Sequence, residues 1–160
     1  MAIDMFLKVD GVSGETKDAK HAGCVDALSF NWGANQPGNM HIGGGGGAGK
    51  VTFNDLNVQA YIDKATPTIM QFCASGKHVS AVTLTICKAG GNPVEYTQIE
   101  LQDVIVTGTD FNGAGSADRI LVNYRFQAAK VKLHYWEQTS QGGKGPETQS
   151  GWDIKANRTM

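Results

Sequence analysis

The residues best placed to do chemistry lie in the stretch MHIGGGGGAGKVTF, from Met40 to Phe53. From Gly44 to Lys50 it matches G-x-x-x-x-G-K, the opening of a phosphate-binding loop. Such a loop cradles phosphates on backbone N–H groups and needs Ser or Thr after the lysine to hold magnesium. A strand must lead in, and a helix must follow so that its N-terminus meets the anion. Here Val51 follows Lys50, and VTFNDLNV alternates as a strand does. The magnesium ligand and the helix dipole are both missing. With 21 glycines in the chain, a chance match is easy. A nucleotide-binding enzyme using residues 44–50 is therefore the alternative, not the leading reading.

The other reactive side chains form no catalytic or metal-binding pattern. His21 and Cys24 are three apart, but no second pair completes a zinc-site spacing. His41, His78 and His134 are scattered over a glycine loop, a helix exit and a strand. Cys24, Cys73 and Cys87 are odd in number and read as reduced thiols. Cys73 reads as a small buried hydrophobe and Cys87 as the more accessible thiol. Asp26 is in phase with Leu28, Phe30 and Trp32, which suits a carboxylate bonded at a bulge or a strand end. Trp32 and Trp152 read as core or interface anchors. No catalytic residue, cofactor site or metal site emerges.

The elements that position these residues are mostly strands. MFLKV (5–9), VDALSFNW (25–32), VTFNDLNV (51–58), VTLTICK (82–88), VEYTQIELQDVIV (94–106), RILVNYRFQAAKVKLHYW (119–136) and GWDIKA (151–156) alternate or carry β-branched and aromatic residues. QPGN (36–39), AGGNP (89–93), FNGAGSAD (111–118) and SQGGKGPETQ (140–149) read as turns. One helix is expected at about residues 66–76. Thr66 serves as N-cap and Pro67 starts the helix. Ile69, Met70, Phe72 and Cys73 form its stripe, and Gly76 closes it.

Three strands change their buried face part-way. Ile120, Val122, Tyr124 and Phe126 give way to Ala129, Val131, Leu133 and Tyr135. Ile99 and Leu101 give way to Val104 and Val106, and Val51 and Phe53 to Leu56 and Val58. A one-residue phase slip turns every later side chain over. Three slips imply bulged strands that turn a corner. The fold expected is a single mainly β domain spanning residues 1–160, a small two-sheet antiparallel β-barrel with one short helix on its side.

Charged residues make up only 18% of the chain and the net charge is −1. No Lys/Arg cluster offers a nucleic-acid surface, so no nucleic-acid partner is expected. Near-zero net charge leaves self-association unopposed. Asp4, Lys8 and Asp10 interrupt the apolar run that a signal peptide needs, and no stretch is long enough for membrane insertion.

In order along the chain, DMFLKVDGVSGETKD (4–18) with His21, LSFNWG (28–33), MHIGGGGGAGK (40–50), YIDKATP (61–67), CASGKH (73–78) and GWDIKAN (151–157) resemble the haemolysin-coregulated protein (Hcp) family, the tail-tube proteins of type VI secretion systems. GCVDA (23–27) departs from the family, which more often has acidic residues leading into an isoleucine. The resemblance implies a barrel that assembles into hexameric rings with a wide channel. The rings stack into a tube inside a contractile sheath, with spike and baseplate proteins as further partners. The family carries small effector proteins in the channel and leaves the cell without a signal peptide, being cytoplasmic before assembly.

On that reading the loop Met40, His41, Ile42, Gly43, Gly44, Gly45, Gly46, Gly47, Ala48, Gly49 and Lys50 makes stacking or inter-subunit contacts. Leu28, Phe30 and Trp32 face the core, and Ser29 and Asn31 face away as channel-lining candidates. A monomeric secreted β-sandwich that binds a ligand is the third reading.

Overall fold

The coordinates, a computed structural model, describe residues 3–38, 40–41, 49–89 and 93–160. The strands are β1 (Ile3–Val9), β2 (Val25–Asn31), β3 (Ala34–Asn35), β4 (Thr52–Phe53), β5 (Leu56–Tyr61), β6 (His78–Lys88), β7 (Val94–Asn112), β8 (Leu121–Gln138), β9 (Lys144–Asp153) and β10 (Arg158–Thr159). The helix α1 spans Thr66–Ser75, and a 3-10 turn spans Ala19–His21. Period-two alternation places side chains cleanly. In β5, Leu56, Val58 and Ala60 are buried while Asn57 and Gln59 point outward.

Eight strands pair in the order β10-β9-β8-β5-β2-β1-β6-β7, and a further β8–β7 pairing closes the antiparallel barrel β8-β5-β2-β1-β6-β7. β9 and β10 extend the sheet beyond β8, and β3 pairs only with β4. Closure removes most of the edge that an open sheet would expose. Leu7, Leu56, Leu84, Ile99, Leu101, Val104, Tyr124 and Phe126 fill the interior and are almost wholly shielded from solvent. None of the helices among the described residues is long and apolar enough to cross a membrane.

The phase slips near Asp103 and Ala129 fall where the sequence places them. Ile120, Leu133 and Tyr135, expected on the buried faces, are nevertheless exposed, because these ends of the strand run beyond the barrel's packed interior. Ile99 and Leu101 are buried, then Val104 and Val106; Tyr124 and Phe126 are buried, then Val131. Gln102 pairs with Lys130 and Val104 with Ala128, leaving Asp103 and Ala129 outside the ladder. Asp103 adopts φ 52°, a left-handed conformation that asparagine and aspartate tolerate better than most residues. The third slip is a break. Residues 51–58 form β4 and β5, turned at Asn54, whose N–H donates to Gly33 O.

Several expectations need correction. Thr66 is the first helical residue, after Ala65 as N-cap. Its hydroxyl accepts from Asp63 N at 3.0 Å and shares a buried 2.7 Å bond with the Tyr124 hydroxyl. Burial pushes Tyr124 up to about 12. Ile69 and Phe72 carry the buried stripe, whereas Met70 is exposed. Gly76 closes α1 with φ 65°, as expected. Residues 144–149, read as turn, belong to β9, because pairing with β8 outweighs the glycine and proline there. Cys87 is fully buried and Cys73 only half-buried, the reverse of the expected order. Burial pushes the Cys87 thiol up to about 11.

Candidate functional site

Ser29 and Asn31 are exposed and end two polar rows that cross the barrel wall. Asn31 pairs with Asn57, Asn57 with Arg125, and Arg125 with Gly108. Ser29 pairs with Gln59, Gln59 with Asn123, and Asn123 with Asp110. Residues directly opposite in a ladder share a face, so both rows lie on the outer surface of β2, β5, β8 and β7. Val58 and Tyr124, between these polar positions, are buried. The wall is thus made mainly of side-chain amides and a hydroxyl.

The wall has few internal contacts. Ser29 Oγ lies 3.5 Å from Gln59 Oε1. Arg125 Nη1 donates to Asp110, and the guanidinium lies across Gly108, where a Cβ would overlap it. Next to these rows, Thr107 Oγ1 donates to Asp55 at 2.6 Å. Among the described residues, Asn31, Asn57 and Asn123 make no side-chain hydrogen bond.

Leu28 and Phe30 contradict the sequence expectation, being 42% and 39% exposed. A register shift between Ala27 and Ser29 takes Leu28 out of the β2–β5 ladder, so the in-phase reading of Leu28, Phe30 and Trp32 breaks there. Trp32 alone of the three packs on the core, stacked on Phe53 with ring centroids 5.9 Å apart. Asp26 accepts from Thr16 Oγ1 at 2.7 Å, the bonded carboxylate that its position suggested. Asn57, Gln59, Asn123, Arg125 and Asp110 were missed by sequence reasoning. Their signal is the alternation in NVQ and NYR, where polar residues flank a buried Val58 or Tyr124.

Of the glycine loop, Ile42 to Ala48 lie outside the described residues. Met40 is 77% exposed and His41 is exposed, and Gly49 and Lys50 lead into β4. A Cβ on Gly49 would come within 2.5 Å of Pro37 Cγ. The segment after Lys50 is strand, so the helix that a phosphate loop needs is not there. Among the described residues no group of His, Cys, Asp and Glu is arranged to hold a metal ion.

A second polar face lies over β7, β8 and β9. His134 Nε2 contacts Glu100 at 3.0 Å and Nδ1 contacts Glu147 at 3.2 Å. Trp136 Nε1 donates to Glu147 at 2.8 Å, and its ring stacks on His134. Lys144 Nζ sits over Trp136 and reaches Glu95, which also contacts His21. His21 lies on Phe6 and bonds Asp18. Burial alone would raise the Glu100 carboxyl, but hydrogen bonds from His134 and Gln102 hold it below its ordinary value. Beside these faces, Trp32, Phe53, Leu133 and Trp152 line an open apolar groove of about 550 Å³.

The sequence profile of the family described as Type VI secretion system effector, Hcp, matches residues 6–141. Protein hcp1 of Pseudomonas aeruginosa is 47% identical over 159 residues, 98% of each chain. The crystal structure of Hcp1 from Salmonella typhimurium superposes with a TM-score of 0.84 at 34% identity, covering all of both chains. A structure of a type six secretion system protein superposes at 0.93 with 27% identity, covering 99% of this chain and 100% of that one. Profile, sequence and fold agree over nearly the whole length, and the chain belongs to the Hcp family of type VI secretion proteins.

Proposed function

We propose that this chain is the building block of a type VI inner tube. Copies associate into hexameric rings, rings stack, and the channel carries and protects effector proteins until contraction of the sheath expels the tube. The observation that carries this reading is the outer wall of Ser29, Asn31, Asn57, Gln59 and Asn123, whose polar side chains are left largely without partners among the described residues. A wall made mainly of uncharged amides facing a channel holds many cargo surfaces weakly. On this reading the chain is cytoplasmic before assembly and exported by the machine, with sheath, spike and baseplate proteins as its other partners.

Self-association has its own support. Trp32 and Trp152 flank the apolar groove, and Leu133 and Tyr135 nearby are 40% and 48% exposed. A neighbouring copy covering them supplies the burial that drives association. Met40 to Lys50, the connection between β3 and β4, is assigned to ring stacking. Negative-stain images of the purified chain test the reading: open rings support it, and featureless monomers sink it. Asn31→Gln is expected to reduce effector retention in those rings, and unchanged retention removes Asn31 from the channel. Gly45→Pro with Gly46→Val is expected to impair tube growth before barrel folding, and equal loss of both overturns the stacking assignment.

A further inference from the structure

The row Asn31–Asn57–Arg125 differs from the rest of the wall in carrying its cation. We propose that Arg125, bedded on Gly108 and flanked by Asn57, is a carboxylate-binding site that selects cargo proteins presenting acidic side chains. That the partner is a cargo protein rests on the channel reading above; the carboxylate chemistry rests on the wall itself.

Arginine presents a planar fork of donors that matches a carboxylate in two parallel hydrogen bonds. Only Nη1 is engaged within the described residues, by Asp110. The pair is open to solvent, Arg125 being 36% and Asp110 59% exposed. Exposed ion pairs hold weakly, so one carboxylate is readily exchanged for another. Gly108 fixes where the fork lies, because any side chain there would displace the guanidinium. Asn57, directly opposite Arg125, and Asn31, opposite Asn57, have amide groups with no partner among the described residues. Strands lie roughly 4.8 Å apart and the fork lies over Gly108 on β7. These amides on β5 and β2 therefore stand beside the carboxylate's seat, on the other side of Arg125, and meet the rest of a cargo segment laid across the rows. Asp110 sits on the neighbouring row and acts as a resident competitor for the fork.

The competitor makes the proposal testable in opposite directions. The full-length protein is titrated against a fluorescein-labelled peptide of alternating Ser and Glu, and against its Ser–Gln counterpart, with anisotropy as the readout. The expected result is about tenfold tighter binding of the Glu peptide, weakening with salt as a charge contact does. Arg125→Gln abolishes the difference and Arg125→Lys keeps part of it. Asp110→Asn tightens the Glu peptide several-fold, because it frees the fork. A purely structural Arg125–Asp110 pair predicts no such gain. Equal binding of the two peptides, or no gain in Asp110→Asn, overturns the proposal and leaves the channel reading standing. Cargo imaged on the outside of the ring sinks the channel reading and leaves the carboxylate site standing.

Discussion

The barrel carries two polar faces built to opposite rules. Over β7, β8 and β9, His134, Glu100, Glu147, Trp136, Lys144 and Glu95 satisfy one another across strands, and His21 on the neighbouring 3-10 turn joins them through Glu95. Over β2, β5, β8 and β7, amides stand in rows with their hydrogen-bonding capacity open. The first face holds strands together; the second is available to a partner. Polar composition alone cannot separate the two. What separates them is whether each group finds its complement within the same chain.

Substitutions test that contrast. The largest effect is expected from His134→Ala, which leaves Glu100 and Glu147 facing each other without their shared partner. Loss of a side chain that hydrogen-bonds two carboxylates in a half-buried site costs about 1–3 kcal/mol. Urea unfolding should show a lower midpoint at an unchanged slope.

A smaller effect, confined to acid, is expected from Glu100→Gln. The folded carboxyl lies below its ordinary 4.5. Its contribution is therefore present above that value and is lost as pH falls through the lower folded one. The variant should lose stability at neutral pH and show a shallower acid limb than the parent below about pH 4.5. Parallel melting curves down to pH 3 would remove Glu100 from the network.

The smallest effect is expected on the open wall. Asn57→Ala with Asn123→Ala should change stability by no more than about 0.5 kcal/mol, as surface substitutions away from networks usually do. Retention of cargo should nevertheless fall. A stability loss as large as that of His134→Ala would erase the distinction between the faces.

Much of the fold was legible in the sequence because it depends on local periodicity. Most of the strands, the helix expected at about residues 66–76 and the slips near Ala129 and Asp103 follow from which side chains must be buried. The wall was only half legible. Ser29 and Asn31 could be read from alternation in β2, but their companions require the register between strands. Shifts between Ala27 and Ser29 and between Val106 and Gly108 set that register, and a single sequence does not reveal where two strands slide past one another. The same shift exposed Leu28, which looked like core. The first part of β9, residues 144–149, was hidden because Gly145 and Pro146 signal a turn locally, while the partner strand β8 decides the outcome.

Pro146 has a further consequence. Among the described residues, the outer side of β9 has no paired strand apart from β10 at Trp152 and Asp153. A bare edge invites indefinite strand-to-strand growth, and a proline there withholds a donor from any such pairing. The same residue that disguised the strand thus helps keep copies of this chain from joining edge to edge into fibre.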